Sequence, residues 1–364
     1  MKEYAYGLLS RLNSTGTSDG SSRADALLIS DPCNMRYYSG FSGGEGILLI
    51  TSEDCFLITD SRYTEAAGRE SDFLVIEESR SHKRVQILQE LAGQYGLERI
   101  AYEDEVMTCA ALSRLQENMT EIREWIPMGR QAELPRQIKR QDEIDLLAQA
   151  EAIGDAAFSD LLGLLKTGMT ELEIAAELEY LLKKHGAEGL SFDTIAASGE
   201  NSSMPHAVPT GKVVEKGDFL TLDFGCRYHG YCSDMTRTVA FGSVSDRQRK
   251  IYDTVLEAQL RALDTIRAGI TGAEADHSAR LVIEEAGYGN CFGHALGHSV
   301  GLYIHEEPRL GPGSEDVLAP GMAVTAEPGI YIPGYCGVRI EDLVIVTENG
   351  CRSLTASPKD LIII

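Results

Sequence analysis

C-x-x-C spacing is absent from this sequence, although it holds eight cysteines. Thiols scattered through a chain of 364 residues exclude a disulfide framework and point to a reduced, cytoplasmic protein. Cys226 and Cys232 lack the spacing of zinc-binding thiolates and read as small buried hydrophobes. An apolar run of about 20 residues is also missing, so no membrane-spanning helix is expected. Residues 1–16 lack a basic segment, a continuous apolar stretch and a small-residue cleavage site, and they read as an amphipathic first helix rather than a signal peptide. Positive charge is scarce: 33 Lys and Arg stand against 56 Asp and Glu, a net charge of −23. Nucleic acid and anionic membranes would be repelled by such a surface, which removes both from the expected partners.

What is present suits a water-exposed globular chain, with 43% hydrophobic and 24% charged residues. The length favours two domains, expected at 1–130 and 131–364. In the first, the apolar runs ALLIS, GILLI, CFLIT and FLVIE alternate with turn clusters such as SGFSGGEG and TDSRY. That pattern predicts a sheet with short connections. Helices over 85–95 and 110–117, with a strand at 99–102 between them, complete an α/β domain. The stretch 127–135, PMGRQAELP, with two prolines and a glycine, is the expected linker.

Beyond it the chain repeats itself. Leu146, Ala150, Ile153, Ala157, Leu161 and Leu164 recur at helical spacing and predict a long helix over 138–165. Thr170 and Glu173 form a capping box for a second helix with an Ile174, Leu178 and Leu181 face, closed by Gly186. A helix over 246–267, a box at Thr271 and Glu274, and a terminator at Gly287 follow, each of the last three 101 positions after its counterpart. Two carboxylate-bearing hairpins, 216–241 and 320–346, then match at an offset of 104: Thr221 with Thr325, Asp223 with Glu327, and the tripeptide GYC with GYC. The second domain is therefore expected as two αα-β-hairpin halves about a pseudo-twofold axis, their hairpins side by side in one antiparallel sheet, with Asp223 opposite Asp234.

Alternation along a strand puts Phe219, Thr221 and Asp223 on one side, Asp234, Thr236 and Thr238 on one side, and Arg339 with Glu341. A pseudo-twofold axis then brings Asp223, Asp234, Glu327 and Glu341 to one place. Anions cannot gather in an apolar setting unless something positive sits among them. Four of the eight histidines add to the pattern: His206 in NSSMPHAVPT, and His294, His298 and His305 in FGHALGHSVGLYIHEEP. His206 and His305 read as catalytic groups in corresponding loops of the two halves. One imidazole with several carboxylates suits two cations such as Mn²⁺ or Co²⁺, and so metal-assisted hydrolysis.

The motifs LDFG, SDMTRT, GHSVGLYIHE, AEPGIY and GVRIED resemble those of the pita-bread metallopeptidases, the creatinase/methionine aminopeptidase fold, and in particular the Xaa-Pro group of aminopeptidase P and prolidase. SGFSG and TDSRY look like its creatinase-type N-terminal domain. The resemblance implies an α/β (α+β) chain with that N-terminal domain and a pita-bread catalytic domain. It implies two divalent metal ions, manganese first, with cobalt, zinc or iron as alternatives. Asp223 would chelate one ion, Asp234 and Glu341 would bridge both, and His298 would complete one shell. Glu327 would be a ligand and the proton shuttle for the shared water. His206 and His305 would stabilise the tetrahedral intermediate. His294 would shape the proline side of the pocket, and Arg339 would serve substrate binding while supporting the acids. Ser299, where many relatives have glycine, is expected to leave ligation undisturbed. The implied activity is that of an Xaa-Pro aminopeptidase of the aminopeptidase P type acting on small peptides with proline second, in a homodimer. Prolidase is the alternative, and methionine aminopeptidase ranks after it because it ordinarily lacks the N-terminal domain. A metal-free protein, creatine amidinohydrolase-like or non-enzymatic, would have lost the ligands that this sequence retains.

Overall fold

A computed structural model describes residues 1–15 and 23–364, which form two compact units, Met1–Pro135 and Arg136–Ile364. The first contains β1 (Ala26–Ile29), β2 (Ile47–Thr51), β3 (Cys55–Asp60), β4 (Leu74–Glu78), β5 (Arg99–Tyr102) and β6 (Glu124–Pro127), in the order β4-β3-β2-β1-β5-β6. β1, β2 and β3 pair antiparallel, and the outer strands join in parallel. β1 to β3 are buried along almost their whole length, which is why they read as continuous apolar runs. Its helices are α1 (Lys2–Thr15), α2 (Pro32–Ser39), α3 (Thr64–Glu70), α4 (Arg84–Tyr95) and α5 (Cys109–Asn118). The expected first helix is present as α1, apart from Gly16, which lies outside the described residues. α2 has no counterpart among the expected helices. Its definition is local, through the Asp31 side chain accepting from Asn34 N, Pro32 in the first turn and Gly40 at φ 81.

The expected linker is not a free connector. It starts in β6, passes through a 3₁₀ turn at Gly129–Ala132 and enters α6 (Leu134–Gln137). The buried Tyr38 hydroxyl donates to Ala132 O at 2.7 Å, tying the stretch to its own unit.

The second unit is built on α7 (Gln141–Leu162), α8 (Glu171–Lys184), α9 (Asp246–Thr265) and α10 (Gly272–Glu285). α7 is shorter than expected at both ends. Ile138 and Lys139 are taken by backbone pairing with Met322 and Gly321, and Leu164 lies exposed beyond the helix end. Both capping boxes form, and Gly186 and Gly287 end their helices at φ 107 and 87. The small strands β7 (Gly189–Leu190), β10 (Cys226–Tyr228) and β11 (Tyr231–Cys232) make one sheet. Another consists of β8 (Ile195–Ser198), β9 (Phe219–Phe224) and β12 (Met235–Ala240), in the order β12-β9-β8. The second half contributes β13 (Gly297–Ser299), β14 (Glu306–Leu310), β15 (Ala323–Ala326), β18 (Asp342–Val346) and β19 (Cys351–Ser353) in the order β14-β13-β15-β18-β19. A separate ribbon pairs β16 (Gly329–Ile332) with β17 (Cys336–Arg339). The helices pack on the strands around two apolar clusters, one centred on Phe158, Leu178 and Leu222 and the other on Val255, Ala279 and Val344, the second also taking in Phe219 of β9 and Ala240 of β12. Cys226 and Cys232 are buried, as expected. No described helix is long and apolar enough to cross a membrane.

The hairpins are thus not side by side in one hydrogen-bonded sheet. Where they meet, Ile340 and Glu341 leave strand geometry, so side chains replace the ladder. Thr238 Oγ1 donates to Arg339 O at 3.0 Å, and a single backbone bond runs from Glu341 N to Thr236 O. Arg237, the largest fully buried side chain, fills the seam. Its guanidinium donates to Thr236 O, Glu341 O, Asp342 Oδ1, Ser357 O and Pro358 O. Arg237→Met leaves Asp342 and three or more carbonyls short of donors, and should lower unfolding free energy by about 3–5 kcal/mol, read by urea denaturation.

Candidate metal centre

Strand register decides how the acids meet. Asp223 on β9 stands opposite Thr236 on β12, not opposite Asp234. Asp234, just before β12, is two residues from Thr236 and so shares the face of Asp223 on the diagonal. Thr221 and Thr238, paired lower on the same face, link their hydroxyls at 3.1 Å. Glu341 arrives from the turn between β17 and β18, and Thr236 Oγ1 donates to its Oε2 at 2.7 Å. Oxygens of Asp223, Asp234 and Glu341 lie within 4.8 Å of one another. His298 Nε2 is 3.5 Å from Asp234 Oδ2 and 3.5 Å from Glu327 Oε1. All of the expected site residues, His206, Asp223, Asp234, His294, His298, His305, Glu327, Arg339 and Glu341, border one cavity of about 550 Å³.

The charges in this cavity do not balance. Burial, then the Glu341 and Asp223 charges, hold the Asp234 carboxyl well above its usual range. Burial and the Glu327 and Asp223 charges do the same for Glu341. Burial and Asp223 push Glu327 up to about 8. Buried Asp223 Oδ1 and Glu341 Oε1 have no hydrogen-bond partner. Orphaned carboxylate oxygens inside an anionic cluster are costly, and a divalent cation among them supplies the missing charge. The residues therefore fit a metal centre. Hard oxygen donors with one imidazole suit the divalent first-row ions without choosing between them.

Arg339 is a countercharge already in place. It pairs closely with Asp223 Oδ2 and donates to Thr236 Oγ1 at 3.0 Å, Tyr331 Oη at 2.7 Å and Pro205 O at 3.3 Å. With its donors so engaged, it supports the acids more directly than it meets a ligand. Tyr331 passes the chain on to His294 Nε2 at 2.9 Å, whose Nδ1 donates to Ala295 O at 2.8 Å. Burial and Arg339 push His294 down to about 4, so its ring is neutral. Burial and His305 push His298 down to about 3. Its Nδ1 lies 3.1 Å from Ser299 O, which leaves the Nε2 lone pair facing Asp234 and Glu327.

His206 and His305 reach the same cavity from non-equivalent places. Ser198 pairs with Leu220 in β9, and Ser299 pairs with Val324 in β15, so the offset is still 101 at those serines. By Thr210 and Ser314, which receive Leu172 N and Ala273 N, it is 104. The extra residues fall between these points, and neither offset superposes one histidine on the other.

Three contributors have no expected role in the sequence reading. Arg309 is the cross-strand partner of His298 in β13–β14 and lines the cavity; its even spacing from His305 along a strand is the signal that points to it. Buried Glu171 accepts from Ser198 N, Ser198 Oγ, Thr210 N and Thr210 Oγ1 at 2.6, 2.9, 3.0 and 2.6 Å, closing both ends of the segment that carries His206. Glu151, pushed up to about 8 by burial, accepts from Asp234 N at 2.8 Å. Both are acids on amphipathic helices, indistinguishable in sequence from solvated ones.

Two αα-β-hairpin halves closing on a carboxylate and imidazole site define the pita-bread class of metallohydrolases. Residues 145–348 match metallopeptidase family M24 and residues 15–138 match the creatinase/prolidase N-terminal domain; the chain belongs to that metallopeptidase family and is a hydrolase. It is 43% identical to the peptidase YqhT of Bacillus subtilis, over 93% of this chain and 96% of that one. It is 39% identical to an Xaa-Pro dipeptidase of Pyrococcus furiosus, over 93% and 95% of the two chains. Among solved structures, an Xaa-Pro dipeptidase from Bacillus anthracis superposes with a TM-score of 0.93 at 43% identity, covering 99% of this chain and 100% of that one. An X-Pro aminopeptidase from Thermotoga maritima gives 0.91 at 39% identity, covering 98% and 99%.

A pH effect follows from the crowded acids. Without metal, native Glu327 titrates near 8 instead of 4.5, so the folded chain holds more protons than the unfolded one between those values. Its contribution to stability is complete below the lower value and is lost as pH rises through the upper. Removing metal with a chelator should lower the melting temperature more at about pH 8 than at about pH 5, read by scanning calorimetry of metal-loaded and stripped protein.

Proposed function

We propose that this chain is a divalent-metal-dependent Xaa-Pro dipeptidase, hydrolysing the bond between an N-terminal residue and proline. The observation that carries the reading is Arg309: a guanidinium on the cavity wall, on the strand face of His298, suits the free carboxylate of a substrate that ends at proline. The dipeptidases of Pyrococcus furiosus and Bacillus anthracis support it. The sequence alone favours the aminopeptidase P type. Yersinia pestis aminopeptidase P II, at 21% identity, shares the fold with this chain, and that likeness says nothing further. The Thermotoga maritima X-Pro aminopeptidase keeps an aminopeptidase as the second reading.

In this reading Asp223, Asp234, His298, Glu327 and Glu341 hold two divalent ions, manganese first. Bound there, the ions supply Lewis acidity and lower the pKa of water. The chain does the rest. Glu327, whose carboxyl burial inclines to hold a proton, accepts one from the attacking water and returns it to the proline nitrogen, which must be protonated to leave. His305, kept neutral by burial and by Arg309, donates a hydrogen bond to the substrate carbonyl oxygen as it gains charge. His206 approaches the same atoms from an exposed loop. His294, Tyr331 and Arg339 form a hydrogen-bonded wall against the proline ring.

The test compares turnover of Xaa-Pro with Xaa-Pro-Yaa-Zaa by protein purified without chelator, together with its metal content. The dipeptide should be the better substrate. Arg309→Ala should raise KM for it by about tenfold or more, as loss of a charge-assisted contact implies, while leaving an Xaa-Pro amide unaffected. Equal turnover of the longer peptide, with KM indifferent to Arg309, would establish the aminopeptidase instead. Asp234→Ala should abolish activity with the fold retained, judged by circular dichroism; an active variant would remove Asp234 from the ligand set.

A further inference from the structure

His298 and His305 sit side by side, ring centroids 4.4 Å apart and nearly perpendicular. What holds them there lies one residue further along each strand. Ser299 follows His298, Glu306 follows His305, and the two are cross-strand partners where a bulge interrupts β13–β14 between His298 and Ser299. A bulge loosens the ladder at the point where the histidines need fixed orientation.

Lys139 bridges that point. Its side chain is 1% exposed, and Nζ donates to Ser299 Oγ at 3.0 Å and Glu306 Oε2 at 3.1 Å. Arg136 pairs closely with the other oxygen of Glu306, which Tyr303 N also approaches at 3.2 Å. The site is shaped for this carboxylate, because a Cβ on Gly301 would come within 2.5 Å of Glu306 Oε2. Lys139 is anchored in turn by its backbone N, which donates to Gly321 O at 2.9 Å, at the entry to β15. β15 carries Thr325, whose Oγ1 accepts from His298 N at 3.0 Å and donates to Glu327 Oε1 at 3.2 Å. A buried ammonium thus ties together the three strands that present His298, His305 and Glu327. The Ser299 hydroxyl is one of its two acceptors.

We propose that Lys139 is a positioning residue for the metal site: by joining Ser299 and Glu306 across the β13–β14 bulge, it orients His298 toward the acids and seats His305 beside it. The proposal rests on reading His298 as a metal ligand. A buried ion pair serving stability alone would leave the ligand geometry indifferent to Lys139, and this separates the two roles.

Co²⁺ is the probe, titrated into the full chain stripped of metal and followed by visible absorption, which reports affinity and ligand geometry without reference to turnover. Lys139→Met should weaken Co²⁺ binding about tenfold, the usual scale for loss of a group that orients a ligand, and change the absorption spectrum. In the loaded enzyme kcat should fall with KM for Xaa-Pro little changed. Ser299→Ala, which removes one acceptor and keeps the ion pair, should shift both readouts in the same direction by a smaller factor. Wild-type binding curves and spectra in both variants, whatever their melting temperatures, would overturn the proposal. Should Lys139→Met not fold, Ser299→Ala decides by the same titration. Failure of the unsubstituted chain to bind Co²⁺ would instead overturn the metal-site reading, and the proposal with it.

Discussion

Like charges brought together inside a protein must be neutralised, protonated or pulled apart, and this constraint governs the second unit. Asp223, Asp234, Glu327 and Glu341 come from four different strand ends, yet they share one cavity wall. Oxygens of Asp223, Asp234 and Glu341 are too close for simple ionisation, and the surrounding structure does not spread them out. Instead it holds them in place. Arg339 grips one acid, Thr236 and Thr325 each donate to another, and Glu151 fixes the backbone at a fourth. Such spending on a charge cluster makes sense only if a cation completes it.

Two-fold symmetry brings the acids together, and departures from symmetry make the site chemical. Glu171 opens α8 and clamps the loop carrying His206, whereas Gly272 occupies the corresponding position of α10. A side chain there would run into Arg309 O at 2.2 Å. The first half uses a carboxylate to hold its loop; the second uses the absence of a side chain to let β14 close in, which brings Arg309 alongside His298. The segment between Ser299 and Ser314 is also longer than its counterpart, and that length lets His305 fold back onto His298. The anionic centre thus has two guanidiniums at its edge, Arg339 held by Asp223 and Arg309 in the β14 wall.

Neutral histidines matter as much as charged acids. His294 and His298 are desolvated and lie near Arg339 or His305, so each keeps a lone pair and one N–H. Backbone carbonyls of Ala295 and Ser299 then settle which nitrogen carries the hydrogen. Orientation of the ring and its protonation are consequently fixed by the same local turn, with no need for a charged partner.

Much of this was readable from residue order. The duplicated capping boxes, Gly186 and Gly287, and the paired hairpins carry their signals locally, because helix ends and strand faces depend on neighbours a few positions away. The four acids follow from those elements, whereas the choice of His298 among the histidines follows from the motif resemblance. The sequence by itself therefore determined the two halves, the acids that gather between them and the hydrolytic class. Only the tertiary structure decided that Asp223 faces Thr236, that the hairpins meet through Arg237 rather than through a shared ladder, and that His206 and His305 are not equivalent. It also placed Glu171, Arg309, Lys139 and Glu306 around the cavity through partners on distant segments. A buried charge is recognisable by what surrounds it, and surroundings are a property of the folded chain.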